Sequence, residues 1–303
     1  MQSSFEQNPI SYFENCLNLG LSFDEIFKKL QDNFSSLELK DIYSYVLENK
    51  SDIKIIDYII RKINKEKNHD QINALIDFIL RPNLNNDFLN LKVLAIKTIA
   101  NFQDKNSVSA LLYCLNDKNS NYKIKLASAE ALGKIGDRNA FEPLSKLVCD
   151  EKENSAYIKE SAVAALGMLG DTRALDVFDL ILNTKQMFLD KFSYLKERII
   201  ETMAKFDIAN DKRALKILKQ SLLDNNSKLR IASIETLMNS QFECAYDLIK
   251  ERLEYDDDIE VRKNALIALY NISDRKILDE ILTGNYPEEL KTTAKDIIEE
   301  YEQ

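Results

Sequence analysis

The sequence predicts an all-α protein, an α-solenoid built from helix pairs, on three observations. Gly and Pro are rare, with 6 and 4 among 303 residues, which disfavours an all-β fold. Hydrophobic residues make up 45% of the chain and charged residues 30%, so the apolar content suffices for a core. Related segments recur every 33–34 residues, and the apolar residues inside them follow helical spacing.

Residues 1–69 are predicted to form an N-terminal helical cap with degenerate repeats. Helices are expected near 10–19, 22–33, 36–49 and 52–66. Ser22 with Glu25, and Ser35 with Glu38, form capping-box patterns that satisfy backbone N–H groups where a helix begins. His69, the only histidine, lies in a polar turn after these helices and is expected at the surface.

Residues 70–303 are predicted to form one continuous array of seven helix pairs. The segments ALGKIGDRNAFEPL at 131–144 and ALGMLGDTRALDVF at 165–178 superpose 34 residues apart. Gly136 and Gly170 are predicted to end their helices in the left-handed conformation. The aspartate that follows each glycine is expected to cap the next helix. The same position recurs along the chain as an aspartate in all repeats but one, at Asp70, Asp104, Asp137, Asp171, Asp207, Gln241 and Asp274.

A Lys or Arg recurs at one equivalent position of successive repeats, as the aspartate does, and we call each such set of equivalent residues a column. Its members are Lys92, Lys125, Lys159, Lys196, Arg230 and Arg262. Six residues before each cation stands a polar or acidic residue, namely Asn86, Asn119, Glu153, Asp190, Asp224 and Asp256. We expect these pairs to form a ladder of hydrogen bonds within or between repeats, with a structural role because it occurs in every repeat.

Charge and motif content argue against several function classes. The formal net charge of −9 repels a phosphate backbone, so nucleic acid is not expected as a partner. No apolar run approaches the ~20 residues of a membrane span, and the start lacks a signal-peptide pattern, so a cytoplasmic location is expected. The four cysteines are scattered and are expected to be reduced and packed in helices. Phosphate-loop, serine-hydrolase and zinc-protease motifs do not occur, and no metal ligands are assigned.

The segments Ala131–Asp137 and Ala165–Ala174 resemble HEAT repeats of the short type named after phycobilin lyases, and the resemblance covers roughly residues 70–285. It implies a right-handed stack whose second helices line a concave binding surface. Members of this family include lyase subunits that attach linear tetrapyrroles to phycobiliprotein cysteines. A further relative, the HEAT-repeat deoxyhypusine hydroxylase, binds iron through several His–Glu pairs, which the single His69 cannot supply.

If the second helices line an inner face, two adjacent repeats place a polar patch on it. We name as candidate binding residues Tyr157, Glu160, Tyr194, Glu197, Arg198 and Glu201. Tyrosine buries a large area while keeping a polar tip, which suits a binding surface. The alternative is structural: the tyrosines cover helix ends and the glutamates solvate a face.

Two functions are compatible with these features. The first is a non-catalytic scaffold, without catalytic residues or cofactor, that holds another protein. The second, implied by the resemblance, is a phycobilin lyase or lyase-like chaperone subunit that binds a linear tetrapyrrole. It would attach the tetrapyrrole to a phycobiliprotein cysteine or remove it. The partner is then expected to be a phycobiliprotein or a second HEAT-repeat subunit. Tetrapyrrole propionates would require Lys159, Lys196 or Arg198.

Overall fold

The computed structural model describes residues 8–50, 52–67, 69–82, 86–184, 192–273 and 275–301. Within these ranges the chain forms eighteen α-helices and no strand, which confirms the predicted all-α solenoid class. No helix among them is both long and apolar enough to cross a membrane. The chain divides into two compact units, Met1–Pro143 and Leu144–Gln303, with the division inside helix α9. The predicted boundary between residues 69 and 70 stays a prediction.

The helices of the first half are α1 Pro9–Asn18, α2 Phe23–Asn33, α3 Ser36–Asn49, α4 Ile53–Glu66, α5 Ile72–Leu80, α6 Asn86–Phe102, α7 Val108–Asn116, α8 Tyr122–Ile135 and α9 Phe141–Cys149. Those of the second half are α10 Ala156–Leu169, α11 Ala174–Leu182, α12 Ser193–Met203, α13 Lys212–Ser221, α14 Ser227–Asn239, α15 Ala245–Tyr255, α16 Ile259–Ile272, α17 Lys276–Thr283 and α18 Glu288–Tyr301. The four predicted N-terminal helices and the seven later pairs are confirmed.

Unit 1 places its helices in two layers. Helices α1, α3, α5 and α7 pack in sequence on one side, and α4, α6 and α8 pack side by side on the other. The predicted capping boxes are present: Ser22 accepts from Glu25 N at 3.4 Å while Glu25 Oε2 accepts from Ser22 N at 2.9 Å, and Ser35 and Glu38 repeat the arrangement. These caps begin α2 and α3 where the sequence places them.

Unit 2 has the same layered construction. The second helices α10, α12, α14, α16 and α18 pack each against the next, and α11 packs against α13 in the other layer. Helix α10 approaches α12 closely because Gly167 lacks a side chain, and a Cβ there would overlap the methyl of Thr202. Fully buried side chains such as Phe178 and Leu195 fill the core between the two layers.

The predicted helix ends are confirmed where the repeat is best preserved. Gly136 and Gly170 adopt φ values of +71° and +66°, in the left-handed region. Gln103 takes the same conformation, φ +52°, in the degenerate copy that lacks the glycine.

The aspartates that follow these left-handed residues cap the next turn. Asp104, Asp137 and Asp171 accept from the N–H two residues later at 3.0, 2.8 and 3.0 Å. Three members of the column differ. Asp70 lies inside the 3-10 turn His69–Gln71. Asp207 accepts from Ala209 N at 3.3 Å, but helix α13 is capped by Asp211, and Gln241 does not cap α15, whose N-cap is Cys244. Asp274 lies outside the described residues.

The cation ladder is confirmed in part. Lys196 Nζ lies 2.8 Å from Asp224 Oδ2, and Arg230 Nη2 lies 2.7 Å from Asp256 Oδ1, so each cation contacts the loop of the following repeat. Arg262 instead donates to the Leu253 carbonyl at 2.7 Å. Asn86 is the first residue of α6 and not a loop residue, and the predicted ladder residue Asp190 and the long loop around Phe188 lie outside the described residues. The ladder is therefore structural, but its partners vary with the local loop.

The expectation that the four thiols are packed in helices is confirmed for two of them and wrong for the other two. Cys16 and Cys114 are buried, whereas Cys149 is exposed and Cys244 is half-buried. His69 is exposed as expected, with its ring 5.1 Å from that of Phe102 in an edge-on contact.

Candidate functional site

The candidate patch lies where α10 and α12 pack side by side in the second-helix layer of unit 2. Tyr157 and Tyr194 are each the second residue of their helix, so both rings stand at the same end of the layer. Their side chains remain exposed, at 71% and 62%. Exposed rings at one level of adjacent helices form a surface that a partner could cover.

The next second helix continues this row. Lys228, the second residue of α14, places its Nζ 5.7 Å from the ring centroid of Tyr194, a cation–π distance. The row therefore consists of two aromatic rings followed by a cation, and the Lys228 ammonium lies over one face of the Tyr194 ring.

Glu197 has a structural partner. Its Oε1 accepts a hydrogen bond from Asn226 Nδ2 at 3.1 Å, and Asn226 Oδ1 in turn caps α14 by accepting from Lys228 N at 3.0 Å. Glu197 therefore ties α12 to the start of α14, and this bond would have to break before Glu197 could use that oxygen for a ligand.

Glu160, Arg198 and Glu201 form a charged cluster on the same two helices. Arg198 Nη1 lies 3.1 Å from Glu201 Oε2. Burial raises the pKa of Glu160, the Arg198 charge lowers it, and the Glu201 charge raises it again, with a net upward shift. Arg198 thus pairs with Glu201 and acts on Glu160 through its charge, and the cluster can accept a further hydrogen-bond donor or cation.

The two lysines considered for propionates are not exposed beside the tyrosines. Lys196 pairs with Asp224, as described above. Lys159 is buried and its Nζ lies 5.5 Å from the Phe192 ring centroid. Burial lowers the pKa of Lys159, and the charges of the preceding loop, Asp150 first, oppose that shift only in part. The cations that accompany the exposed tyrosines are Arg198 and Lys228, and sequence reasoning missed Lys228. The signal was present, because Lys228 stands two residues before Arg230, the spacing of Tyr194 from Lys196.

The chemistry of the patch suits binding. It offers two phenol rings, a guanidinium, an ammonium and carboxylates on three neighbouring helices, α10, α12 and α14. Among the described residues, no three His, Cys, Asp or Glu side chains come together as a metal site. The structure brings Tyr157, Tyr194, Glu160, Arg198 and Glu201 onto adjacent helices, and it gives Glu197 a structural bond.

Comparisons with known proteins agree with the repeat architecture. A family model of HEAT repeats matches residues 72–154 and 118–187. The phycocyanobilin lyase subunit alpha of Picosynechococcus sp. (strain ATCC 27264 / PCC 7002 / PR-6) is 34% identical over 85 residues, 26% of this chain and 31% of that protein. The matched stretch therefore spans about a third of that relative's length.

Two solved structures are similar at lower levels. The complex of CpcE and CpcF of phycocyanin lyase from Nostoc sp. PCC7120 gives a TM-score of 0.45 at 20% identity, over 76% of this chain and 88% of the other. Human deoxyhypusine hydroxylase in complex with glycerol gives 0.38 at 15% identity, over 88% and 96%.

Proposed function

From a chain that carries HEAT repeats and resembles phycobilin lyase subunits, we propose that this protein is a non-catalytic scaffold that holds a partner protein on the α10–α12 face. The observation that carries the proposal is the pair of exposed rings, Tyr157 and Tyr194, at one level of two adjacent helices. Tyrosine is enriched among residues that dominate binding energy, because its large ring is desolvated while its hydroxyl keeps a hydrogen bond.

The charges of the face specify the partner further. Arg198 pairs with Glu201, and the charges of Glu160 and Glu201 repel each other, so a cation from the partner placed between the two carboxylates would relieve their repulsion. Lys228 beside Tyr194 would pair with an acidic group. A protein surface with a basic residue flanked by an acidic one fits this pattern, and a second HEAT-repeat subunit or a phycobiliprotein is the partner to test first.

The test measures affinity for such a purified partner with the double variant Tyr157→Ala and Tyr194→Ala. We expect the dissociation constant to rise by about tenfold or more, since hot-spot tyrosines contribute upwards of ~1 kcal/mol each. Tyr255→Ala is the matched control, because Tyr255 is 76% exposed but ends the first helix α15. Equal affinity of the double variant and the unaltered protein would show that the α10–α12 face does not bind this partner.

The second candidate is a bilin lyase or lyase-like chaperone subunit, favoured by the sequence match to phycocyanobilin lyase subunit alpha. The tyrosine rings would stack on a linear tetrapyrrole, and its propionates would pair with Arg198 and Lys228, since Lys159 is buried and Lys196 pairs with Asp224. The acceptor thiol would come from the client protein.

A titration with phycocyanobilin separates the two candidates. Visible absorbance and induced circular dichroism are followed in the unaltered protein, the tyrosine double variant and Tyr255→Ala. Saturable induced dichroism at micromolar bilin, lost only in the double variant, supports the second candidate. A flat titration favours the scaffold, and addition of a second HEAT-repeat subunit then tests whether bilin binding requires both chains.

A further inference from the structure

Unit 1 contains a cavity of about 380 Å³ at the loop ends of α5 and α7. Its polar lining consists of Arg81, Lys92, Asp117, Asn119 and Ser120, and apolar side chains including Pro82 complete the wall. The volume accommodates a small organic molecule.

Lys92 brings a buried positive charge to this cavity. The residue is only 3% exposed, and its ammonium group donates to the Arg81 carbonyl. An ammonium group has three donor hydrogens, and no ion pair reaches Lys92 from the part of the chain that the structure describes. A buried cation without an opposite charge is costly, because the interior cannot replace its hydration.

The repeats of unit 2 show which partner Lys92 lacks, a carboxylate from the loop of the following repeat. Asp224 and Asp256 each stand two residues before the N-cap of the next second helix. One carboxylate oxygen accepts from the N-cap N–H, at 2.9 and 3.1 Å, and the other contacts the cation of the preceding repeat. In the α7–α8 loop the same position is Asn119, two residues before the N-cap Asn121, and its side chain carries no charge.

The other groups around Lys92 do not replace that aspartate. The Asp117 carboxylate accepts from Asn119 N at 2.9 Å and from Ser120 Oγ at 3.3 Å, so it serves its own loop. Burial raises the pKa of the Cys114 thiol to about 11, which keeps it neutral at pH 7. Burial lowers the pKa of Lys92, the neighbouring Cys114 opposes this shift, and the Arg81 charge adds to it.

We propose that this cavity binds the carboxylate group of a small organic acid, which supplies to Lys92 the negative charge that Asp224 and Asp256 supply to Lys196 and Arg230. Arg81 is the second cation for the carboxylate, and the ring of Tyr113 and the ring of Pro82 contact the apolar body of the acid. The site is independent of the function proposed for the α10–α12 face, since every residue that lines it belongs to unit 1.

The variant Asn119→Asp tests the proposal, because it places a carboxylate inside the chain where the ligand's would sit. The full-length protein is titrated calorimetrically with 3-phenylpropionate, and with the uncharged 3-phenylpropionamide as the control ligand. We expect saturable binding of the acid to the unaltered protein and binding at least tenfold weaker to the amide. Asn119→Asp should weaken binding of the acid by at least tenfold and raise the melting temperature.

Asn116→Asp is the matched control variant, since Asn116 also lies at the end of α7 but does not line the cavity. It should leave both the affinity and the melting temperature near those of the unaltered protein. Equal binding of acid and amide, or undiminished binding of the acid to Asn119→Asp, would overturn the proposal. So would absence of binding to the unaltered protein, whatever the melting temperatures.

Discussion

At the scale of single residues, the surroundings of a charged group decide whether it stabilises the fold or serves a surface. Glu197 and Glu160 occupy the same position of consecutive repeats, one residue after the ladder cation. Glu197 accepts a hydrogen bond from Asn226, whereas Glu160 is half-buried with another carboxylate nearby and has a raised pKa. The same residue type is therefore structural in one repeat and available for binding in the other.

The raised pKa of Glu160 predicts a pH-dependent gain in stability for Glu160→Gln. Below the ordinary carboxyl pKa of 4.5 the group is protonated in both folded and unfolded chains, so the substitution should change little. As pH rises through the higher pKa of the folded state, ionisation destabilises the fold and Gln avoids this cost. We expect Glu160→Gln to raise the melting temperature at pH 7 and to leave it unchanged at pH 4. Glu235→Gln, on the exposed side of α14, is the control. A gain that is the same at both pH values would contradict the assignment.

At the scale of helices, the left-handed residue that follows α6, α8 and α10 is a local requirement of those helix ends. Gly136 and Gly170 meet it without cost, and an added Cβ would have no neighbour within 4 Å, so the only penalty of substitution is conformational. Gln103 shows that the fold keeps this turn even where the sequence offers no glycine.

Replacing Gly136 and Gly170 together with Val should lower the melting temperature. A β-branched residue in the left-handed region costs roughly 1–2 kcal/mol per site. Met168→Val is the control for α10, because Met168 is 41% exposed in the right-handed helix two residues earlier and should lose only about 0.5 kcal/mol of helix propensity. Thermal unfolding monitored by circular dichroism measures both, and equal losses would show that the φ values do not govern these helix ends.

At the scale of the whole molecule, repeats are coupled to their neighbours through the ladder as well as through apolar packing. Arg230 connects helix α14 to the loop of the following repeat through Asp256, whose side chain is 2% exposed. Each repeat of a solenoid is stabilised by nearest-neighbour interfaces, so loss of one such bond weakens the stack at a defined point.

Asp256→Ala should lower the free energy of unfolding by on the order of 3 kcal/mol, because Arg230 would remain buried without its main counter-charge. Asp257→Ala is the matched control, since Asp257 also contacts Arg230 at 3.0 Å but is 93% exposed. Its loss should cost less than about 1 kcal/mol. Urea unfolding of both variants measures the difference, and comparable effects would show that burial of the pair does not set its strength.

What the sequence by itself determined is the part of the structure encoded by short-range interactions. Capping boxes at Ser22 and Ser35, left-handed glycines and the 34-residue spacing depend on neighbours a few residues apart, so they can be read without coordinates. The helix pairs, most helix ends and the matching positions of Tyr157 and Tyr194 in adjacent second helices followed from them. The distribution of the charged partners was decided only by the tertiary structure, because it depends on which loop packs against which helix. Lys196 and Arg230 reach a carboxylate of the next repeat, while Lys92 meets a carbonyl beside a cavity, although the sequence places all three in one column.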